Sequence, residues 1–330
     1  MLRFFIRRVL LAVLTLFAVS VTTFLLFFAV PADPAATMCG SRICPADQAA
    51  RIRTSLGLDR PMAVQYSEYM KGLFTGRDIG SGSDAIHCPA PCLGVSFRNH
   101  LPVLTIIGQG LPITLSIVLG GAMVYLTLGL FLGTTAALRR GSAVDRFSIG
   151  FSLAGASMQI FVLGLVLISI FVYELGWLPR PTYTSLFDNP FKFVVGMLLP
   201  WATLGFINSA AYSRLSRAQM LETLSEDFVR TARAKGASLR TVNYRHALRA
   251  AITPIVTFFG VDLGGQLGGV VITESTFNLH GVGQISIQAV NDLNLPIVMA
   301  TVFLAAIFVV ASNVVVDMLY AVIDPRVRLG

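Results

Sequence analysis

Within the apolar run GVDLGGQLGG, residues 260–269, a carboxylate and an amide stand one helical turn apart at Asp262 and Gln266. A carboxylate at bilayer depth costs at least a few kcal/mol unless it meets water, a cation or a hydrogen-bond donor. The pair therefore either lines a polar path, reaches a partner subunit, or is satisfied by a neighbouring helix. Gly260, Gly264 and Gly268 recur at four-residue intervals, a small-residue pattern that lets helices approach closely, and Asp262 and Gln266 lie about 200° round the helix from them. All four cysteines fall in one segment, Cys39 and Cys44 in CGSRIC and Cys88 and Cys92 in CPAPC. Paired thiols in an oxidising compartment favour disulfides, with three connectivities open. A zinc site built from the same thiolates is the competing reading.

Other chemistries are excluded by what the chain lacks. The three lysines, Lys71, Lys192 and Lys235, are followed by Gly, Phe and Gly, so there is no phosphate-binding Gly-Lys-Ser/Thr loop and no ATP-hydrolysing motor. His87, His100, His246 and His280 are dispersed without metal-ligand spacing, and neither GxSxG nor HExxH occurs. No metal site and no enzymatic function are expected.

The elements that position these groups follow from composition. Of 330 residues, 55% are apolar and 13% charged, far from the quarter charged of a soluble domain. Runs long enough to span a bilayer of about 30 Å occur at about 9–30, 111–138, 147–173, 193–213, 252–273 and 297–320. The expected fold is therefore all-α and polytopic, with six transmembrane helices. The uncharged run from Leu101 to Leu138 is too long for one span, and its first part, with Pro102 and Pro112, is expected to form an interfacial segment leading into the second span. The first span is expected to be retained, because its apolar run exceeds a signal peptide's core and no small-residue cleavage site follows.

Placement of charge explains the net charge of +8. An even span count puts both termini on one side, and Arg3, Arg7 and Arg8 make that side the cytoplasm. The cytoplasmic segments then hold 16 basic and 5 acidic residues, the outer ones 9 and 10. Topology accounts for the whole basic excess, leaving no case for nucleic-acid binding. The chain divides into a terminal helix (1–30), a cysteine-bearing outer loop (31–100) and a core (101–330) with a cytoplasmic insert at about 214–250.

That insert contains TLSEDFVRTARAKG, residues 223–236. Thr223 with Glu226 fits a capping box, Glu226 and Asp227 sit near a helix start, Arg233 and Lys235 near its end, and Gly236 supplies a left-handed stop. A short helix from about Ser225 to Lys235 is expected, followed by a second helical pattern from Leu239 to Leu248. Elsewhere, Gln159, Asn208 and Asn313 are expected to make helix–helix hydrogen bonds. Asp317, near the end of the sixth span, is expected to be structural, reaching Arg326 or a lipid headgroup. Glu274 stands at the outer end of the fifth span, where a gate or a docked protein would meet it.

The run FVRTARAKGASLRTVNYRHALRAAITPIV resembles the cytoplasmic signature loop of binding-protein-dependent ABC importer permeases, in particular the dipeptide and oligopeptide branch. VPADPA at Val30, LGLDRPMAVQY from Leu56, ITESTFNLHGVG from Ile272 and DMLYAVIDPRVRL from Asp317 resemble further motifs of that family in its order. Ala32 departs from a family glycine, Phe228 from a tyrosine and Leu279-His280 from Trp-Pro, and the outer loop is longer than usual.

The resemblance implies a type I ABC importer permease fold. It makes the insert a coupling helix whose Glu226, Asp227, Phe228, Arg230, Thr231, Ala232, Arg233, Ala234, Lys235 and Gly236 seat on an ATPase. The charged residues would form its rim, while Phe228, Ala232 and the bend at Gly236 would form its packed part. It also implies a second permease, two ABC ATPase domains that bind ATP and Mg, an extracytoplasmic substrate-binding protein, and a place in the inner membrane. This chain itself would carry no cofactor. The rival reading is an ion-gradient-driven secondary transporter or channel with Asp262 as the coupling carboxylate, for which inverted repeats and broken helices are expected.

Overall fold

The computed structural model describes residues 2–28, 50, 53–54, 59–79, 86–96 and 98–323. In chain order it holds α1 (Leu2–Phe28), α2 (Met62–Thr75), strands β1 (Arg77–Ile79) and β2 (Ile86–Cys88), α3 (Val103–Leu138), α4 (Ala143–Ser157), and α5 (Ile160–Ile168), which runs on as a π-helical segment, Ser169–Glu174. There follow α6 (Pro190–Ser225), α7 (Asp227–Ala234), a second π-helical segment (Thr241–Ala247), α8 (Leu248–Leu267), α9 (Val271–Thr276), α10 (Val282–Asn291) and α11 (Leu295–Ile323). Among the described residues five helices are long and apolar enough to cross a membrane, and α4 with α5 makes a sixth if that bent pair is one span. The architecture is an all-α membrane protein to which, among the described residues, an antiparallel hairpin of two three-residue strands is added, pairing Arg77 with Cys88 and Ile79 with Ile86.

Several expected boundaries are corrected. Residues 101–110 do not form a separate interfacial piece: α3 is one helix of 36 residues with Pro112 inside it, about 54 Å long and so longer than the hydrocarbon core. The third span is not one straight helix. Met158 and Gln159 are both extended, at ψ 141°, and the two halves meet at 99°. Neither Gly nor Pro marks that break. The fourth span continues as α6 to Ser225, the fifth stops at Leu267, and the segment before the last span carries α10.

The chain forms two compact units. The first comprises residues 1–114, 267–271 and 280–311. Its core packs Val103 and Ile107 of α3 against Val282 and Ala289 of α10 and Ile297, Val298 and Ala300 of α11. The Thr114 hydroxyl accepts the Val282 N–H at 2.8 Å, satisfying one of the donors that a helix start leaves unpaired. A satellite core joins Ile79, Cys88, Cys92 and Val95. Asn294 donates to the buried Ser96 hydroxyl at 2.7 Å, and Arg98 pairs with Asp292. Arg77 lies over the Tyr69 ring, 5.6 Å from its centroid. Burial raises the Tyr69 phenol above its ordinary pKa and lowers that of Arg77.

The second unit comprises residues 115–266, 272–279 and 312–330. In it α4 runs antiparallel to α6 along a polar seam. Asp145 pairs with Arg217 at 2.6 Å, Ser148 with Ser213 at 2.9 Å, and the Ser152 hydroxyl donates to the Ala210 carbonyl at 3.1 Å. Meanwhile Phe147, Ile149 and Leu153 of α4 are exposed. This inversion, small polar side chains inward and large apolar ones outward, suits a helix whose solvent is lipid. Helix α1 shows it too, with Ser20 and Thr23 buried while Leu10, Val13 and Leu14 are exposed.

Candidate functional site: the interhelical insert and the intramembrane carboxylate

The insert is built from one bend and one stop. Helix α6 ends at Ser225, and Glu226 turns the chain by adopting an extended conformation, φ −68° and ψ 149°. The expected capping box does not form. Thr223 lies inside α6, where its hydroxyl donates to the Gln219 carbonyl at 2.8 Å, and Glu226 itself is the N-cap, without a side-chain capping bond. The membrane helix outlasts the apolar run, so the cap moves three residues downstream.

The far end forms as expected. Gly236 has φ +77°, the left-handed conformation that glycine adopts without a Cβ penalty. The Gly236 N–H reaches the Arg233 carbonyl at 2.9 Å and the Ala237 N–H reaches the Ala232 carbonyl at 3.2 Å. These two bonds are the Schellman pattern, and Ala232 and Ala237 supply its apolar contact. The chain then enters the π-helical segment and α8.

One side of α7 is pinned. Val229 is fully buried in a cluster with Ala137, Met220, Val242, Ala247 and Ala251, and Ala232 is partly buried beside it. Glu226, Asp227, Phe228, Arg230, Thr231, Arg233, Ala234, Lys235 and Gly236 are exposed. Phe228 thus does not belong to the packed part: 46% of it is accessible, and Val229 holds the anchoring position. The reason is helical phase, since Val229 and Ala232 are three residues apart and share a face. Arg230 lies 3.6 Å from Asp227, which leaves Arg233 and Lys235 as cations in no ion pair among the described residues. The arrangement is a short helix fastened by its apolar stripe, presenting one aromatic ring and several charges outward.

Asp262 lies on α8, partly buried. Its Oδ2 accepts the Tyr212 hydroxyl of α6 at 3.0 Å and the Gln266 amide at 2.9 Å. Tyr212 in turn stacks on Tyr125 with ring centroids 4.8 Å apart. Among the described residues, the Tyr125 hydroxyl and the Gln266 carbonyl oxygen are buried with no hydrogen-bond partner. A Cβ on Gly260 would fall 1.7 Å from a Val316 methyl, so α8 and α11 meet there closely enough to exclude any side chain. Gly264 is buried, but Gly268 follows the end of α8, and the small-residue stripe has two members rather than three.

Glu274 is fully buried on α9, so it offers no surface to a docked protein in this conformation. Cys88 and Cys92 form a disulfide with Cα atoms 5.4 Å apart, which removes both as zinc ligands. Cys39 and Cys44 lie outside the described residues. Gln159 and Asn313 are exposed and Asn208 donates to Leu204 of its own helix, so among the described residues these three do not make the expected bonds between helices. The side chain of Asp317 lies outside the described residues.

Sequence reading missed the polar seam of α4. Asp145, Ser148, Ser152 and Gly155 follow helical spacing on one buried face, and that periodicity of small polar residues inside an apolar run was the available signal. The aromatic partners of Asp262 carry no such mark.

Comparison with known proteins places this geometry. Residues 1–118 match the family model described as the N-terminal part of the binding-protein-dependent transport system membrane component, and residues 125–329 match the binding-protein-dependent transport system inner membrane component. The chain is 37% identical to the di/tripeptide transport system permease DppB of Pseudomonas aeruginosa over 348 residues, 99% of each chain. It is 32% identical to the dipeptide transport system permease DppB of Escherichia coli over 353 residues, again 99% of each. A further relative, 34% identical over 98% of this chain and 99% of its own, is a Sinorhizobium fredii protein designated a probable peptide ABC transporter permease. The fold resembles a chain of the inward-facing MetNI methionine ABC transporter, with TM-score 0.50, 16% identity, and 67% of this chain and 97% of that one covered. A polytopic helical chain with a short helix fastened between two membrane helices, matched by this family over nearly all its length, is a member of it: the protein belongs to the binding-protein-dependent transport system inner membrane components, the permease subunits of ABC importers.

Proposed function

We propose that this permease carries di- or oligopeptides across the inner membrane, powered by separate ATPase subunits that seat on α7. The observation that carries the coupling role is the fastening of α7: Val229 pins it while Phe228, Arg233 and Lys235 face outward. A rigid helix held this way passes a displacement of its docking partner to α6 and α8 as rigid-body motion. The chain has no phosphate-binding loop of its own, so ATP and Mg belong to the partners. Full-length relatives named as peptide permeases support the substrate class.

In this reading both termini and α7 are cytoplasmic, and the cysteine loop meets an extracytoplasmic binding protein. A second related permease completes the path. Asp262 and Gln266 border that path, while Tyr212 keeps the carboxylate hydrogen-bonded at rest. Glu274, being buried, suits a gate element better than a docking contact.

The test is reconstitution of the full transporter in liposomes with labelled di- and tripeptides. Uptake should require ATP, both permeases, both ATPases and the binding protein. Uptake by this chain alone, or uptake driven by an ion gradient without nucleotide, would refute the proposal.

A further inference from the structure

Beside the charged end of the α4–α6 seam lies a cleft of about 320 Å³, lined by Ser148, Ile149, Ser152, Leu153, Arg214 and Arg217 among others. That volume lies at the lower end of the range of about 300–1,000 Å³ for small-molecule sites. Its two cations differ. Arg217 is committed to Asp145, its Nε and a terminal nitrogen meeting the two carboxylate oxygens at 2.6 and 3.1 Å. Arg214 is exposed and in no ion pair among the described residues.

The two arginines stand against an apolar wall. On α4, Ser148 and Ser152 turn into the seam, while Ile149 and Leu153, the residues that follow them in the lining, are 43% and 60% exposed on the membrane helix. Arg214 lies 21 residues beyond Phe193 on α6, about 32 Å along the axis at 1.5 Å per residue. That is one hydrocarbon thickness, so a helix entering the bilayer near Phe193 brings the guanidinium out at headgroup level on the opposite side. An unpaired cation at that depth, above an apolar wall, matches an amphiphile with an anionic head and an acyl tail. Basic pockets between transmembrane helices on the cytoplasmic side hold such lipids.

We infer that the α4–α6 cleft is a binding site for an anionic phospholipid of the cytoplasmic leaflet, with its phosphate on Arg214 and an acyl chain along Ile149 and Leu153. The leaflet follows from the topology proposed above. The cleft itself does not depend on the transported substrate.

The test uses the complete transporter, purified and stripped of lipid. Short-chain phosphatidylglycerol, phosphatidylcholine of the same chain length and inorganic phosphate are each titrated, with bound lipid read by native mass spectrometry and thermal unfolding as a second readout. Arg214→Gln should weaken the tightest phosphatidylglycerol site about fivefold, the scale of one basic residue near an anionic surface, with Arg214→Lys in between. Phosphatidylcholine binding should not change between variants, and phosphate should neither bind nor stabilise. Equal phosphatidylglycerol affinity in wild type and Arg214→Gln would overturn the inference. So would a phosphate effect that matches the lipid's, which would mark a free-anion site, or loss of a partner subunit from Arg214→Gln, which would mark a protein interface.

Discussion

The Tyr212 hydroxyl on α6 donates to the Asp262 carboxylate on α8 at 3.0 Å. This bond joins the helix that enters α7 to the helix that leaves it, and it gives a membrane-embedded carboxylate a donor from outside its own helix. Movement of α7 that separates α6 from α8 must stretch or break it, so the bond biases the conformation in which it is made.

Tyr212→Phe should therefore lower stability by about 1 kcal/mol, the scale of a single interhelical hydrogen bond in a membrane, while keeping the ring stacked on Tyr125. Thermal unfolding of the purified complex measures this. An unchanged midpoint together with unchanged transport would show the bond to be idle.

Gly236→Ala forces a side chain into a left-handed conformation, φ +77°, at a cost of about 1 kcal/mol or more. Gly236→Pro would also remove the N–H that reaches Arg233. Both should leave the ATPases active but reduce peptide uptake per ATP, proline by tenfold or more. Parallel assays of hydrolysis and uptake decide it, and wild-type coupling in the proline variant would contradict the role given to this turn.

Reversing the charges of Arg233 and Lys235 to Glu should weaken ATPase binding without unfolding the permease, because both side chains are exposed. Val229→Asp, by contrast, buries a charge among Met220, Val242 and Ala251 and should release α7 from its seat. Both variants lose uptake, but only the second should become sensitive to proteolysis between residues 225 and 240. Co-purification and limited digestion separate the two.

Arg217→Gln leaves the buried Asp145 without its cation, and loss of one partner from a buried pair is strongly destabilising. Expression and thermal midpoint should fall further than in Tyr212→Phe, and Asp145→Asn in the same chain should restore part of the loss. No recovery in the double variant would mean that the pair is not coupled.

Cys88 and Cys92 close a five-residue loop, for which chain entropy gives about 2 kcal/mol. Cys92→Ser should lower the thermal midpoint by that scale, and Cys88 should alkylate in wild-type protein only after reduction. Alkylation of Cys88 without reductant would exclude the bond.

The spans, the short helix of the insert and the left-handed turn at Gly236 could be read from the sequence because each rests on information within one segment. Hydrophobic length decides membrane residence, and a glycine after a helical run decides where it ends. Other features depended on neighbours far along the chain. The partner of Asp262 is 50 residues away at Tyr212, whereas the bond within CPAPC is local, joining cysteines four residues apart, and the sequence left it as one of three connectivities because spacing alone does not choose among them. The break at Met158 and Gln159 carries neither Gly nor Pro, so packing rather than local preference sets it. The direction in which Phe228 points followed from Val229 taking the buried position. Hydropathy specifies which segments leave water, but it does not specify which side of each helix meets lipid and which meets protein. That choice belongs to the packed neighbours, and here they drew Asp145, Ser148 and Ser152 inward because polar groups in hydrocarbon have no partners except one another.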